Sequence, residues 1–101
     1  MKKIIGGRKY DTDTARVVGG ASHGYPTDFG YWSEELYLKR TGEFFVYGEG
    51  GPMSKYAHRI GQNEWSGGEE LFPLSLAEAK EWGEKYLDAE EYEQIFGRCE
   101  E

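Results

Sequence analysis

The stretch Glu34–Gly48, EELYLKRTGEFFVYG, decides how the chain reads. Two runs of strand-forming residues, Leu36-Tyr37-Leu38 and Phe44-Phe45-Val46-Tyr47, flank the polar link Arg40-Thr41-Gly42. That link suits a type I turn followed by glycine in the left-handed conformation, a common three-residue hairpin connection. With Lys39 opposite Glu43, Leu38 faces Phe44 and Leu36 faces Val46. Strand side chains alternate, so these four share one face while Tyr37, Phe45 and Tyr47 share the other. One face is apolar and the other aromatic; each needs cover or serves as a contact surface.

Working outward from the hairpin, Tyr31–Lys39 and Glu43–Gly48 are expected as its two strands. Upstream, Lys3-Ile4-Ile5 and Arg8-Lys9-Tyr10 flank Gly6-Gly7, which predicts a short edge hairpin. Thr14–Val18 reads as a strand on its paired valines, and the glycine-rich residues 19–30 (GGASHGYPTDFG) read as a long loop. Downstream, Ser54 is expected to cap a short helix over Lys55–Ile60 that stops at Gly61, with Gln62–Gly68 a polar loop holding Trp65. Glu69–Leu74 reads as a last, edge strand because it contains Pro73.

The C-terminal third predicts two helices. Ser75-Leu76-Ala77-Glu78 is a capping box, followed by the stripe Leu76, Ala79, Trp82, Gly83, Tyr86 and Leu87. Asp88 then caps a second helix in which Ala89, Tyr92, Ile95 and Phe96 face inward and Gly97 ends the run. The fold class that follows is α+β, a single domain over residues 1–101. A three- to four-stranded antiparallel sheet is centred on the hairpin, with the C-terminal helices packed on one face.

The 101 residues suffice for one modest core. Cys99 is the only cysteine, which excludes an internal disulfide and suits a reducing cytoplasm. The opening Met1–Gly7 has a basic tip without a hydrophobic stretch behind it, so neither a signal peptide nor a membrane partner is expected. The net charge of −7 is uneven. Residues 1–68 carry nine Lys and Arg against eight acids, whereas residues 69–101 carry three against eleven.

Chemical motifs are weak. Gly48-Glu49-Gly50-Gly51-Pro52-Met53-Ser54-Lys55 has the flavour of a phosphate loop, but Ser54 stands where that loop needs glycine, and Glu49 repels phosphate. His23 and His58 are the only histidines and lie in no zinc spacing. Glu34-Glu35 and Glu69-Glu70 are adjacent, and neighbouring strand positions point opposite ways, so no paired-carboxylate chemistry follows. No catalytic residue, metal ligand or cofactor is expected, and the protein reads as a non-enzyme.

The acidic third is the better lead. Glu78, Glu81, Glu84, Asp88, Glu90, Glu91 and Glu93 are the candidate partner-binding residues, lining the outward surfaces of the two helices. Such an array imitates the regular negative charge of a nucleic-acid backbone and suits a basic groove. It disfavours direct nucleic-acid binding. Tyrosines and Trp65 at its margin would supply the buried anchors that binding energy requires.

Several strings carry a resemblance. Lys3–Thr12, KIIGGRKYDT, with Thr14-Ala15 behind it, resembles the "KIINGKxYDT" opening of a group of small accessory proteins from mobile elements of Gram-positive bacteria. Gly48-Glu49-Gly50-Gly51 with Ser54-Lys55-Tyr56-Ala57, then Gly67-Gly68-Glu69, resemble that group's "GEGGxxSKYA" and "GGE" strings. Pro73-Leu74 with Ala79 and Trp82 is similar to its closing "PLxxxEAxxW". Proteins of this size and setting include anti-CRISPR proteins, some of them acidic mimics of DNA. The resemblance therefore implies an inhibitor that binds a CRISPR effector subunit and blocks target DNA; it assigns no site residue. The alternative is an interaction or assembly module, such as a homodimer, that uses the aromatic face of the hairpin at Tyr37 and Tyr47.

Overall fold

The computed structural model describes residues 1–101. Eight strands and two helices follow in the order β1 (Lys2–Ile5), β2 (Arg8–Asp11), β3 (Arg16–His23), β4 (Trp32–Leu38), β5 (Phe44–Gly50), β6 (His58–Gly61), β7 (Glu64–Ser66), β8 (Gly68–Leu74), α1 (Leu76–Tyr86) and α2 (Ala89–Phe96). The main sheet has the order β3-β4-β5-β8, all antiparallel, with β1-β2 and β6-β7 as separate two-stranded ribbons. The fold class is α+β.

The central hairpin has the expected register: Leu38 pairs with Phe44 and Leu36 with Val46, and the Lys39 amide donates to the Glu43 carbonyl. Gly42 closes the turn at φ +95°. The even-numbered face of this hairpin is the larger core, in which Leu36, Phe44 and Val46 pack with Ala79 and Trp82 of α1. Tyr92 and Phe96 of α2 lie against Gly83, where a Cβ would crowd both rings. Both caps form as capping boxes, Ser75 with Glu78 and Asp88 with Glu91. Two stripe positions differ from expectation: Leu76 is 56% exposed and Ala89 is also exposed, each in the first turn of its helix.

The aromatic face is a second core rather than a contact surface. Tyr37 and Phe45 stack with ring centroids 4.9 Å apart, and Tyr10 of β2 meets Phe45 edge-on at 5.6 Å. The β1-β2 hairpin is thus a lid. Its Gly6-Gly7 turn has φ of +59° and +78°, the mirror-image turn that matches strand twist, and Ile5 and Tyr10 face the sheet. The assembly reading through Tyr37 fails because that ring is 7% exposed inside its own chain.

Three local expectations are corrected. The strand read at Thr14–Val18 begins only at Arg16, because the Thr14 and Ala15 amides turn back onto the Asp11 carbonyl. It runs on to His23, because β4 supplies partners for Gly19 through His23; only the rest of residues 19–30 is loop. Residues 55–60 form no helix. The Ser54 hydroxyl closes a tight turn, accepting from the Tyr56 amide and donating to the Gly51 carbonyl, and the chain continues as β6. The loop expected at 62–68 holds β7, paired with β6 across a turn at Asn63, where φ is +63°. Pro73 lies in β8 as expected, on an edge strand where its missing N–H costs no ladder bond.

Candidate partner-binding surface

The helices hold the expected carboxylates outward but divide them. Glu84, Asp88 and Glu93 come together with Glu100 and Glu101 around a groove of about 760 Å³ between α1, α2 and the C-terminal tail. Leu87, Ala89 and Tyr92 give that groove an apolar floor. Glu78 and Glu81 lie apart, lining a second groove with Lys55, Lys85 and Trp82. Glu90 and Glu91 are exposed in the first turn of α2, where the helix dipole favours them. The three ion pairs of the protein are Arg8–Glu43, Lys39–Glu43 and Lys55–Glu34, so none of the seven candidate carboxylates is neutralised by contact.

Four of the seven have structural duties. Glu78 accepts from the Ser75 amide at 2.9 Å, which holds its carboxyl below the ordinary value. Asp88 and Glu91 exchange the second capping box at 2.8 and 3.2 Å. Glu93 accepts from the Cys99 amide at 2.7 Å and so pins the tail that carries Glu100 and Glu101. Glu81, Glu84 and Glu90 have no such bond, which leaves them free to meet a cation. The two tail residues were missed because they follow Gly97, beyond the apolar periodicity; their charge alone was the available signal.

A second constellation is buried beside α1. Glu34 is 3% exposed. It accepts from Trp82 Nε1 at 2.9 Å, from Lys55 Nζ at 2.7 Å and from the Tyr56 hydroxyl. Burial pushes its carboxyl up, but the bonds from Lys55, Tyr56 and Trp82 outweigh that and hold it below the ordinary 4.5. The Tyr56 phenol is raised far above its usual range by burial and by donating to Glu34. Tyr56 reaches Glu34 by crossing β5 at Gly48, where a Cβ would collide with the phenol. Alternation carried the signal for this node, since Glu34 has the same parity as Leu36 and Leu38.

On the opposite sheet face, Tyr47 donates to Glu69 and lies 3.4 Å from Glu49; the bond to Glu69, then burial, raises its phenol. The amides of the glycine-rich loop are engaged within the chain: Gly51 donates to the Tyr31 carbonyl at 2.7 Å and Met53 to the Phe29 carbonyl at 2.8 Å. The loop is therefore a strap onto residues 29–31, with Glu49 on its approach. His23 stacks on Trp32, and His58 opens β6. No three His, Cys, Asp or Glu side chains are grouped to hold a metal ion, and no helix is long and apolar enough to cross a membrane.

The structure thus defines an α+β protein with an acidic helical layer on one face of a four-stranded antiparallel sheet. Comparison with protein-family models, with curated proteins and with solved structures gives no match.

Proposed function

We propose that the protein is a non-catalytic inhibitor of the anti-CRISPR kind. Its helical layer occupies the basic nucleic-acid groove of a CRISPR effector in the cytoplasm and keeps target DNA out. The observation that carries this reading is the groove between α1 and α2, where five carboxylates without ion pairs surround an apolar floor. Basic side chains that normally hold phosphates would meet those carboxylates, while Tyr92 offers the ring on which binding energy can concentrate. Charge complementarity of this sort speeds encounter and selects the partner. The resemblance to accessory proteins of mobile elements supports the same reading.

The test is target-DNA binding by effector complexes of Gram-positive hosts, measured with and without the protein. The triple variant Glu81→Lys, Glu84→Lys and Glu90→Lys changes carboxylates that make no internal bond, so folding is retained. It should abolish inhibition; inhibition equal to wild type at the same salt rejects the acidic-surface reading.

A further inference from the structure

The helical layer is one pole of the protein. A second lies on the opposite sheet face at the end under the β1-β2 hairpin, away from Glu49 and Glu69 at the other end of β5. Residues 1–18 and 38–44 hold seven Lys and Arg against three carboxylates, a balance of +4. The fold brings these two segments to one end. The β1-β2 hairpin lies over Tyr37 and Phe45, and Arg8 bridges to Glu43 in the β4–β5 turn. Lys39 Nζ lies 3.9 Å from the same carboxylate and 4.3 Å over the Tyr10 ring. Arg16, Lys39 and Arg40 share one recess beside Leu38. Of the three acids, Asp11 is buried and Glu43 is bridged twice, which leaves Asp13 exposed. Lys2, Lys3, Lys9 and Arg40 are all exposed and make no ion pair, whereas Arg16 lies on the helical side, beside Gln94 and Ile95 of α2. Because Ile5 and Tyr10 face the sheet, alternation turns Lys2 and Lys9 outward.

We propose that this cationic end binds the phosphate backbone of double-stranded nucleic acid without reading its sequence. Unpaired Lys and Arg are what phosphates require. A protein partner would want an aromatic anchor, and a single strand would want exposed rings on which bases stack. Neither is offered at this end, since Tyr10, Tyr37 and Phe45 are at most 7% exposed. Stacked layers lie about 10 Å apart, so the hairpin and the helices, each one layer from the sheet, are separated by about 20 Å. The screening length at physiological salt is about 8 Å. The acidic layer therefore does not repel a duplex that approaches from the far side. The expectation of no direct nucleic-acid binding came from the acidic third and does not extend to this face. The proposal is independent of any effector.

The experiment is fluorescence anisotropy of labelled 20-base-pair DNA and RNA duplexes of random sequence, titrated with the purified full chain. Four phosphate contacts, each releasing about 0.9 counterion, should weaken binding about 10²-fold between 50 and 200 mM salt. The double variant Lys9→Gln and Arg40→Gln should halve that log–log salt slope, leaving a loss of about tenfold over the same interval. Circular dichroism checks that the variant is folded. Binding of either duplex with this behaviour supports the proposal, and the tighter one identifies the nucleic acid. Absence of binding at 50 mM salt overturns it, as does an unchanged slope in the variant. Self-association that the variant abolishes, without duplex binding, assigns the surface to a second copy instead and also overturns it.

Discussion

Trp82 of α1 donates its indole N–H to Glu34 of β4 at 2.9 Å, a buried bond between residues 48 apart in sequence. This one carboxylate ties the helical layer to the sheet, and through Lys55 and Tyr56 it also ties down the strap that follows β5. The acidic surface is carried on α1 and α2, so its position relative to the sheet depends on that node. The node also borders that surface, since Glu34, Lys55 and Trp82 line the groove that holds Glu78 and Glu81.

Replacing Glu34 with Ala removes the acceptor from two buried donors, the Trp82 indole and the Tyr56 hydroxyl. Lys55 is half exposed and regains water. An unsatisfied buried group costs about 1–3 kcal/mol, so the Glu34→Ala substitution should lower stability by about 3 kcal/mol in urea unfolding. Trp82→Phe removes one donor and replaces the buried indole by a smaller phenyl ring, so it should cost at least about 1–2 kcal/mol. A Glu34→Ala midpoint close to wild type would show that the node contributes little.

The same node sets a pH dependence. The Glu34 carboxyl is held below 4.5 in the folded chain, so between the folded and unfolded values the unfolded state binds more protons. Its contribution to stability is present above the unfolded value and is lost as pH falls through the folded one. Unfolding free energy should therefore drop below about pH 4.5, and Glu34→Gln should flatten that drop while lowering stability at pH 7. Parallel pH profiles for the two proteins would count against Glu34 as the source.

Much of this frame is legible in the sequence, and the misses have physical reasons. The β4–β5 register follows from alternation around Arg40-Thr41-Gly42, and α1 follows from Ser75 and Glu78, because both are local patterns. Gly19 through His23 lack strand propensity and are made a strand by pairing with β4, a tertiary effect. Lys55 and Tyr56 suit a helix locally, but both turn towards Glu34. The acidic character of the helices was readable from composition. Its division at α1 into two grooves was not, since that depends on where the tail returns, through Glu93 and Cys99.

Two glycines of the main sheet should respond oppositely to alanine. At Gly48 a Cβ meets the Tyr56 phenol, and forced repacking of this kind costs about 1–3 kcal/mol. At Gly20 the nearest heavy atom to a Cβ is the Glu34 carbonyl oxygen at 3.8 Å, ordinary contact. There Gly20→Ala should stabilise by about 0.4–1 kcal/mol by restricting the unfolded chain. Thermal unfolding of the two variants should move in opposite directions; a shared direction would contradict the close approach at Gly48.

The lid on the aromatic face gives the last test. Tyr10 covers Phe45 edge-on and holds Lys39 over its own ring. Truncating a buried aromatic costs about 3–5 kcal/mol, so Tyr10→Ala should destabilise the protein by an amount in that range and uncover Tyr37 and Phe45. Freed of cover, that face becomes an exposed apolar patch, and the variant should self-associate as concentration rises, which the wild-type face does not invite. Sedimentation velocity reads the association and urea unfolding reads the stability. A Tyr10→Ala protein as stable as wild type would mean that the second core is closed by the main sheet alone, with the hairpin a passive appendage.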